Sequence, residues 1–322
     1  MNFTLMRTDR WTRWHVIGAI TMLAMGIAAT FDAWKDKPIA SITEDACRKR
    51  YREMLTRGLR GKAPAPGQAN QAFSVLRALI NYASRRYRQA DGTPLILHNP
   101  VGTLQDEWVE LKPRTSRIPD NKVGAVWSAL QRWRAEAHTR DTLASIDFVS
   151  FLILTGLRIG EASALTWDRV HIDEAEPEDC WFHLPEPKNK NPVWLPLSSQ
   201  AVELLNTRER VKGSPFVFPT WSNAGHIRDP RDIMKKVSGV AGEKLTPHDL
   251  RRTYITIGIA KCGIDFYKVE LLTNHLPSGV TARHYLETSR LQYLHPEAQR
   301  ISDWIEEQAA IASGANVVSL RA

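Results

Sequence analysis

Arg158, Glu161, His248, Arg251, His275 and Tyr285 are residues whose types and spacing invite a chemical reading. Arg158 and Glu161 stand three apart in Thr155-Gly156-Leu157-Arg158-Ile159-Gly160-Glu161, at what reads as a helix start. On a helix they share a face, and the carboxylate can orient the guanidinium. A solvated ion pair is the plainer reading. In Thr246-Pro247-His248-Asp249-Leu250-Arg251, Thr246 suits an N-cap and Pro247 the first helical turn. His248 and Arg251 then share a face near a helix N-terminus, where unpaired backbone N–H groups favour an anion. A cap followed by a routine surface arginine is the alternative. His275 closes Leu271-Leu272-Thr273-Asn274-His275, and Tyr285 closes Val280-Thr281-Ala282-Arg283-His284-Tyr285. Each taken alone is ordinary packing. Lys188 and Lys190 belong to a polar turn that is either a solvated charged tip or a further source of cations. Together these side chains could grip an anionic group. The sequence has no GxxxxGK[ST] loop and no evident carboxylate cluster for a pair of metals.

Positioning such residues takes helices and a hairpin. Ser41-Ile42-Thr43-Glu44 has capping-box spacing and opens a basic helix through Arg48, Lys49, Arg50, Tyr51 and Arg52. Glycines and prolines over residues 58–67 break it. Phe73, Leu76, Leu79, Ile80, Ala83 and Tyr87 recur at helical spacing and predict a second helix over residues 69–90, with Arg77, Arg85, Arg86 and Arg88 adding charge. Residues 91–94 are a turn, and the basic, proline-punctuated residues 112–120 read as a linker. Helices are predicted over residues 121–137 and 142–154. Trp181-Phe182-His183-Leu184 and Val193-Trp194-Leu195-Pro196-Leu197 flank the polar turn as a hairpin, with Pro196 marking an edge strand. Beyond Thr246 the pattern is helical.

The chain has 322 residues, so two domains are the natural expectation. The division read here is an apolar N-terminal segment at 1–36, a basic helical domain at 37–111, the linker at 112–120, a second domain at 121–312 and a flexible tail at 313–322. A net charge of +8 tilts the partner toward a polyanion. The three cysteines, Cys47, Cys180 and Cys262, form no CxxC pair, which favours a reducing compartment over a disulfide or zinc framework. Residues 16–31 are uncharged and apolar, behind Arg7, Arg10 and Arg13. They fall short of the roughly 20 residues a membrane helix needs, so a packed helix or an appendage is expected and the protein is placed in the cytoplasm.

TGLRIGE, HDLRRT, LLTNH and the VTARHY tyrosine, in this order, resemble the signature boxes of the tyrosine recombinases, the phage integrase family. The resemblance runs from Arg158 to Tyr285. It extends more weakly to ANQAFSVLRALINYA, which looks like a core-binding domain, and to the tail ETSRLQYLHPEAQRISDWI. It implies that Arg158 and Arg251 clamp a scissile phosphate, with Glu161 supporting the first arginine. His248 and His275 would be the box histidines, Lys188 the hairpin lysine and Tyr285 the nucleophile. Lys188 is preferred to Lys190 on its spacing to the following strand. Two departures stand out. The third box reads Thr-Asn-His where Leu-Gly-His is commoner, and Tyr285 lies ten positions after His275, which keeps Tyr293 as a fallback.

The resemblance further implies a mainly α fold with a small antiparallel β-sheet: a helical core-binding domain followed by the catalytic domain. In the reaction it implies, a tyrosyl oxygen attacks a DNA phosphodiester and leaves a 3′-phosphotyrosyl bond. Rejoining then needs no cofactor and no metal. Arg48, Lys49, Arg52, Arg77, Arg85 and Arg86 are the expected DNA-binding residues of the first domain. The expected partners are double-stranded DNA attachment sites and three further copies in a homo-tetramer on DNA. Accessory DNA-bending proteins are a partner class the resemblance allows, and no membrane is expected. A type IB topoisomerase-like enzyme and a non-catalytic DNA-binding regulator on an integrase body are the alternatives.

Overall fold

The structure, a computed structural model, describes residues 29–173, 175–275 and 288–314. Tyr285, residues 16–28 of the apolar stretch and residues 315–322 of the tail lie outside the described residues. The chain divides into two compact units, Met1–Arg114 and Thr115–Ala322.

The first unit is built on α1 (Glu44–Thr56) and α2 (Pro66–Arg86). Thr43, rather than Ser41, caps α1, accepting from the Ala46 amide at 3.2 Å. Ser41 instead turns back, its hydroxyl donating to the Pro38 carbonyl. Cys47, Tyr51 and Met54 of α1 are buried with Phe73, Leu76 and Ile80 of α2 and with Val101 and Leu104. Tyr51 is the polar pin of this core. Its hydroxyl donates to Asn70 Oδ1 at 2.5 Å and accepts from the Val109 amide at 3.0 Å. α2 begins and ends earlier than the periodicity suggests. Pro66 suits the first turn, and Tyr87 is drawn into extended backbone, where its carbonyl accepts from the Leu95 amide across the Asp91-Gly92 turn.

The second unit surrounds α4 (Arg140–Thr155), whose residues from Ile146 to Thr155 are all buried. A helix buried on every side belongs at a centre, and its neighbours supply the surface. They include α3 (Val123–Ala135), α6 (Ser199–Asn206), α7 (Arg231–Ala241), α8 (Pro247–Thr256) and α10 (His295–Ala312). α5 (Ile159–Ser163) follows α4 directly, and α9 (Phe266–Leu272) precedes the third sequence box. Gly124 lets α10 come close: a β-carbon there would sit 1.9 Å from the Gln308 carbonyl oxygen. Asp147, fully buried on α4, holds Arg134 and Arg208. Removing that carboxylate would leave two cations uncompensated, a loss of about 3–5 kcal/mol.

A three-stranded antiparallel sheet of β1 (Val170–His171), β2 (Trp181–Leu184) and β3 (Val193–Pro196), in that order, covers one side. The register pairs Phe182 with Leu195 and His183 with Trp194. Alternation sends Phe182, Leu184, Val193 and Leu195 inward, while His183 and Trp194 stack outside with centroids 3.9 Å apart. Pro196 thus lies on the outermost strand of the sheet, and part of that edge is met by the chain at Arg290. Among the described residues no helix is long and apolar enough to cross a membrane.

Candidate active site

Gly156 makes the first box possible. It ends α4 in the left-handed region at φ 62°, where a side chain would be strained and its β-carbon would meet the Tyr254 ring at 2.6 Å. The sharp exit places Arg158 at the N-cap of α5, so Glu161 comes back beneath it. Arg158 Nη1 donates to Glu161 Oε1 at 3.0 Å. This is not a solvated pair, because the Glu161 side chain is only 6% exposed and that of Arg158 is 23% exposed. Glu161 Oε1 also accepts from the Lys188 amide at 3.4 Å, linking the box to the hairpin turn.

The second box arrives on α8. Asp249 accepts from the Thr246 amide at 2.7 Å and from the Thr246 hydroxyl at 2.6 Å, locking the first turn. Arg252 neutralises the other oxygen of that carboxylate at 2.7 Å. Arg251 is 5% exposed and donates to the Gly156 carbonyl at 3.1 Å, so the two boxes are tied through backbone. Burial and the neighbouring Arg158 push the Arg251 guanidinium down to about 10, against the pull of Glu161 and Glu270. It stays a cation at neutral pH. Burial, with Arg252 and Arg251 beside it, holds His248 below the ordinary imidazole value despite Asp249. The ring is therefore held in its neutral form, the form that can accept a proton.

Arg158, Glu161, Lys188 and His248 line one cleft of about 800 Å³, together with Arg169 and Leu184. Lys190 is exposed and does not line it. Its left-handed backbone, φ 60°, instead closes the turn, its amide donating to Pro187 at 2.9 Å. His275 departs from the expected convergence. Its side chain is 59% exposed and pairs through Nδ1 with Glu270. The rest of the third box is buried, and Asn274, at 2% exposure and φ 48°, is the member that meets the first box, its carbonyl accepting from Arg158 Nη1 at 3.4 Å. Tyr293, half-exposed, lies in the turn ahead of α10.

Sequence reasoning overlooked Asn274, Asn189 and Asp249. The last carried a signal, since Thr246 and Asp249 stand at capping-box spacing. Nothing local marked Asn189 or Asn274, whose bond spans 85 positions. In the first unit, Glu107 holds two of the expected DNA-binding arginines, Arg52 at 3.0 Å and Arg48 at 3.3 Å. Lys49, Arg77, Arg85 and Arg86 are exposed.

Residues 116–291 match the family model described as the phage integrase family. Prophage integrase IntZ of Escherichia coli strain K12 is 26% identical over 233 residues, covering 69% of this chain and 52% of that protein. Tyrosine recombinase XerD of Vibrio cholerae is 24% identical over 248 residues, covering 72% of this chain and 74% of that protein. Among solved structures, XerH site-specific recombinase bound to palindromic difH substrate superposes with a TM-score of 0.61 at 16% identity, covering 92% of this chain and 80% of the other. The likeness to XerH is one of fold. The chain spans about half the length of the Escherichia coli relative.

Proposed function

Since the chain belongs to the phage integrase family, whose model matches more than half of it, we propose that it is a site-specific DNA recombinase that cuts and rejoins strands through Tyr285. The observation that carries this reading is the assembly of Arg158, Lys188 and His248 on one cleft, with Arg251 joined to it through Gly156. In the proposed step, Tyr285 Oη attacks phosphorus while the bond from phosphorus to the 5′ oxygen breaks. The five-coordinate transition state gathers negative charge on its non-bridging oxygens. Arg158 and Arg251 answer that charge with forked donors, each charge-assisted hydrogen bond contributing about 1.5–3 kcal/mol. The tyrosyl proton passes toward neutral His248, and Lys188 supplies a proton to the departing 5′ oxygen. The phosphotyrosyl ester retains the energy of the broken linkage, so attack by a new 5′ hydroxyl reverses the step. Exchange between two duplexes breaks four strands, one tyrosine each, which calls for a homo-tetramer on double-stranded DNA. A phage or other mobile element is the natural source of the sites, given the prophage integrase relative.

The test is a selection for covalent adducts. The full chain is incubated with nicked duplexes carrying random-sequence arms, and DNA that stays attached after denaturation is sequenced. A discrete sequence family is expected, with attachment lost in Tyr285→Phe while binding persists. An adduct that survives Tyr285→Phe would move the nucleophile to Tyr293, and no adduct from the unaltered chain would sink the reading.

A further inference from the structure

The turn Lys188-Asn189-Lys190-Asn191 alternates two kinds of side chain with two kinds of surroundings. Both lysines are exposed and both asparagines are partly buried. Asn189 Nδ2 donates to the Asn274 carbonyl at 3.0 Å and to Asn274 Oδ1 at 2.9 Å. Asn191 Nδ2 donates to the Thr288 carbonyl at 3.0 Å. Asn274 stands just ahead of His275, and Thr288 stands three positions after Tyr285. One short turn therefore grips the chain on both sequence flanks of the proposed nucleophile. The downstream grip continues into β3, where the Trp194 amide donates to Ser289 at 2.7 Å and the Leu291 amide donates to Trp194 at 2.9 Å. The upstream grip reaches the phosphate clamp, because the Asn274 carbonyl that takes Asn189 also takes Arg158.

We propose that Asn189 and Asn191 are positioning residues that set the lysine acid and the tyrosine nucleophile from a single turn. This rests on the recombinase reading above. Lys188 must meet the 5′ oxygen on one side of the phosphorus while the tyrosyl oxygen approaches from the opposite side. In-line displacement tolerates little error in either direction. A turn bonded at Asn274 and at Thr288 ties both sequence flanks of the tyrosine to the lysine. Asn is suited to the task. Asn189 Oδ1 accepts from the Asn191 amide at 3.1 Å, which shapes the turn, and its Nδ2 stays available for Asn274.

Asn189→Asp isolates the donor: a carboxylate keeps the acceptor that shapes the turn, which Asn274 Nδ2 also reaches at 3.5 Å, and loses the Nδ2 that donates to the Asn274 carbonyl. Asn191→Asp removes the Thr288 bond alone and leaves the β3 ladder. The full-length variants are compared with Lys188→Ala on the duplex recovered by the adduct selection, prebound at saturating protein, in single turnover. One substrate carries the ordinary 5′ oxygen at the scissile bond and the other a 5′ sulfur, which departs without needing a proton. With oxygen, Asn189→Asp and Asn191→Asp are expected to slow adduct formation by about ten- to a hundredfold. With sulfur, Lys188→Ala is expected to recover to within about threefold of the unaltered chain, while each asparagine variant stays about tenfold slow because its tyrosine is also displaced. Rates for Asn189→Asp and Asn191→Asp equal to the unaltered chain would overturn the proposal, and so would their full rescue by sulfur. Failure of the unaltered chain to form any adduct would instead defeat the recombinase reading on which it stands.

Discussion

His248 shows how much of a residue's chemistry is decided by its neighbours. An imidazole ordinarily titrates near 6.5, and here burial first, then Arg252 and Arg251, favour the neutral ring. A lowered value means that the proton leaves at a lower pH than usual, so the base form persists into mildly acidic solution. The second-order rate of adduct formation, which reports the free protein, should therefore begin its acidic decline at a lower pH than an unperturbed imidazole would give. Arg252→Ala removes a repelling charge and releases the Asp249 carboxylate, and both changes raise the His248 value. The acidic limb should therefore move to higher pH in that variant. A limb that stays in place or moves lower would remove His248 from the proton path. The residue types at Arg158, His248 and Arg251 were legible in the sequence because charge and helical spacing are local facts. The exposure of His275 was not, because it depends on Glu270 one turn earlier and on the left-handed backbone at Asn274.

At the scale of elements, the site hangs on the way α4 stops. Gly156 supplies a conformation that favours glycine, a space filled by the Tyr254 ring, and a carbonyl that holds Arg251. Gly156→Ala should cost about 2–4 kcal/mol, combining left-handed strain with overlap against the ring. At a temperature where the variant remains folded, adduct formation should still fall about tenfold, since the Arg251 anchor shifts. Gly160→Ala is the control: nothing lies within 4 Å of its added β-carbon, and a change within about 0.5 kcal/mol is expected in a thermal melt. Equal melting of the two variants would show that the turn at Gly156 is not the constraint described. The hairpin was readable beforehand because Phe182, Leu184, Val193 and Leu195 alternate with polar or outward residues around a proline-bearing turn. The short strand β1 was not, since two residues carry no periodicity. α2 ended at Arg86 rather than at residue 90 because the bonds across the Asp91-Gly92 turn outweigh helical propensity there. Ser41 yielded the cap of α1 to Thr43, since a four-residue pattern permits a cap without selecting among neighbouring hydroxyls.

At the scale of the whole molecule, the two units invite a division of labour that a truncation can measure. The boundary at Arg114 has a physical basis on its C-terminal side. Ile118 is fully buried in the second unit, and its amide donates to Thr253 Oγ1 at 2.9 Å, within the helix that carries His248 and Arg251. Arg117 pairs with Asp120, which also takes Lys261 at 2.7 Å. Part of the basic stretch read as a linker is therefore a strap across the second unit, and a fragment must begin ahead of Arg117 to keep it. Residues 115–322 contain every proposed catalytic side chain and their own buried core around α4, so this fragment should fold cooperatively and keep its ability to form an adduct at high DNA concentration. Absent from it are Lys49, Arg77, Arg85 and Arg86, exposed in the first unit, together with Arg48 and Arg52 and the Glu107 that holds them. Affinity for DNA should drop, and the slope of log affinity against log salt should become shallower by about 0.9 for each phosphate that is no longer neutralised. A binding series across salt concentrations reads both quantities. An unchanged slope with reduced affinity would mean that the first unit acts without touching phosphates, and an unchanged affinity would mean that it is no part of the DNA grip.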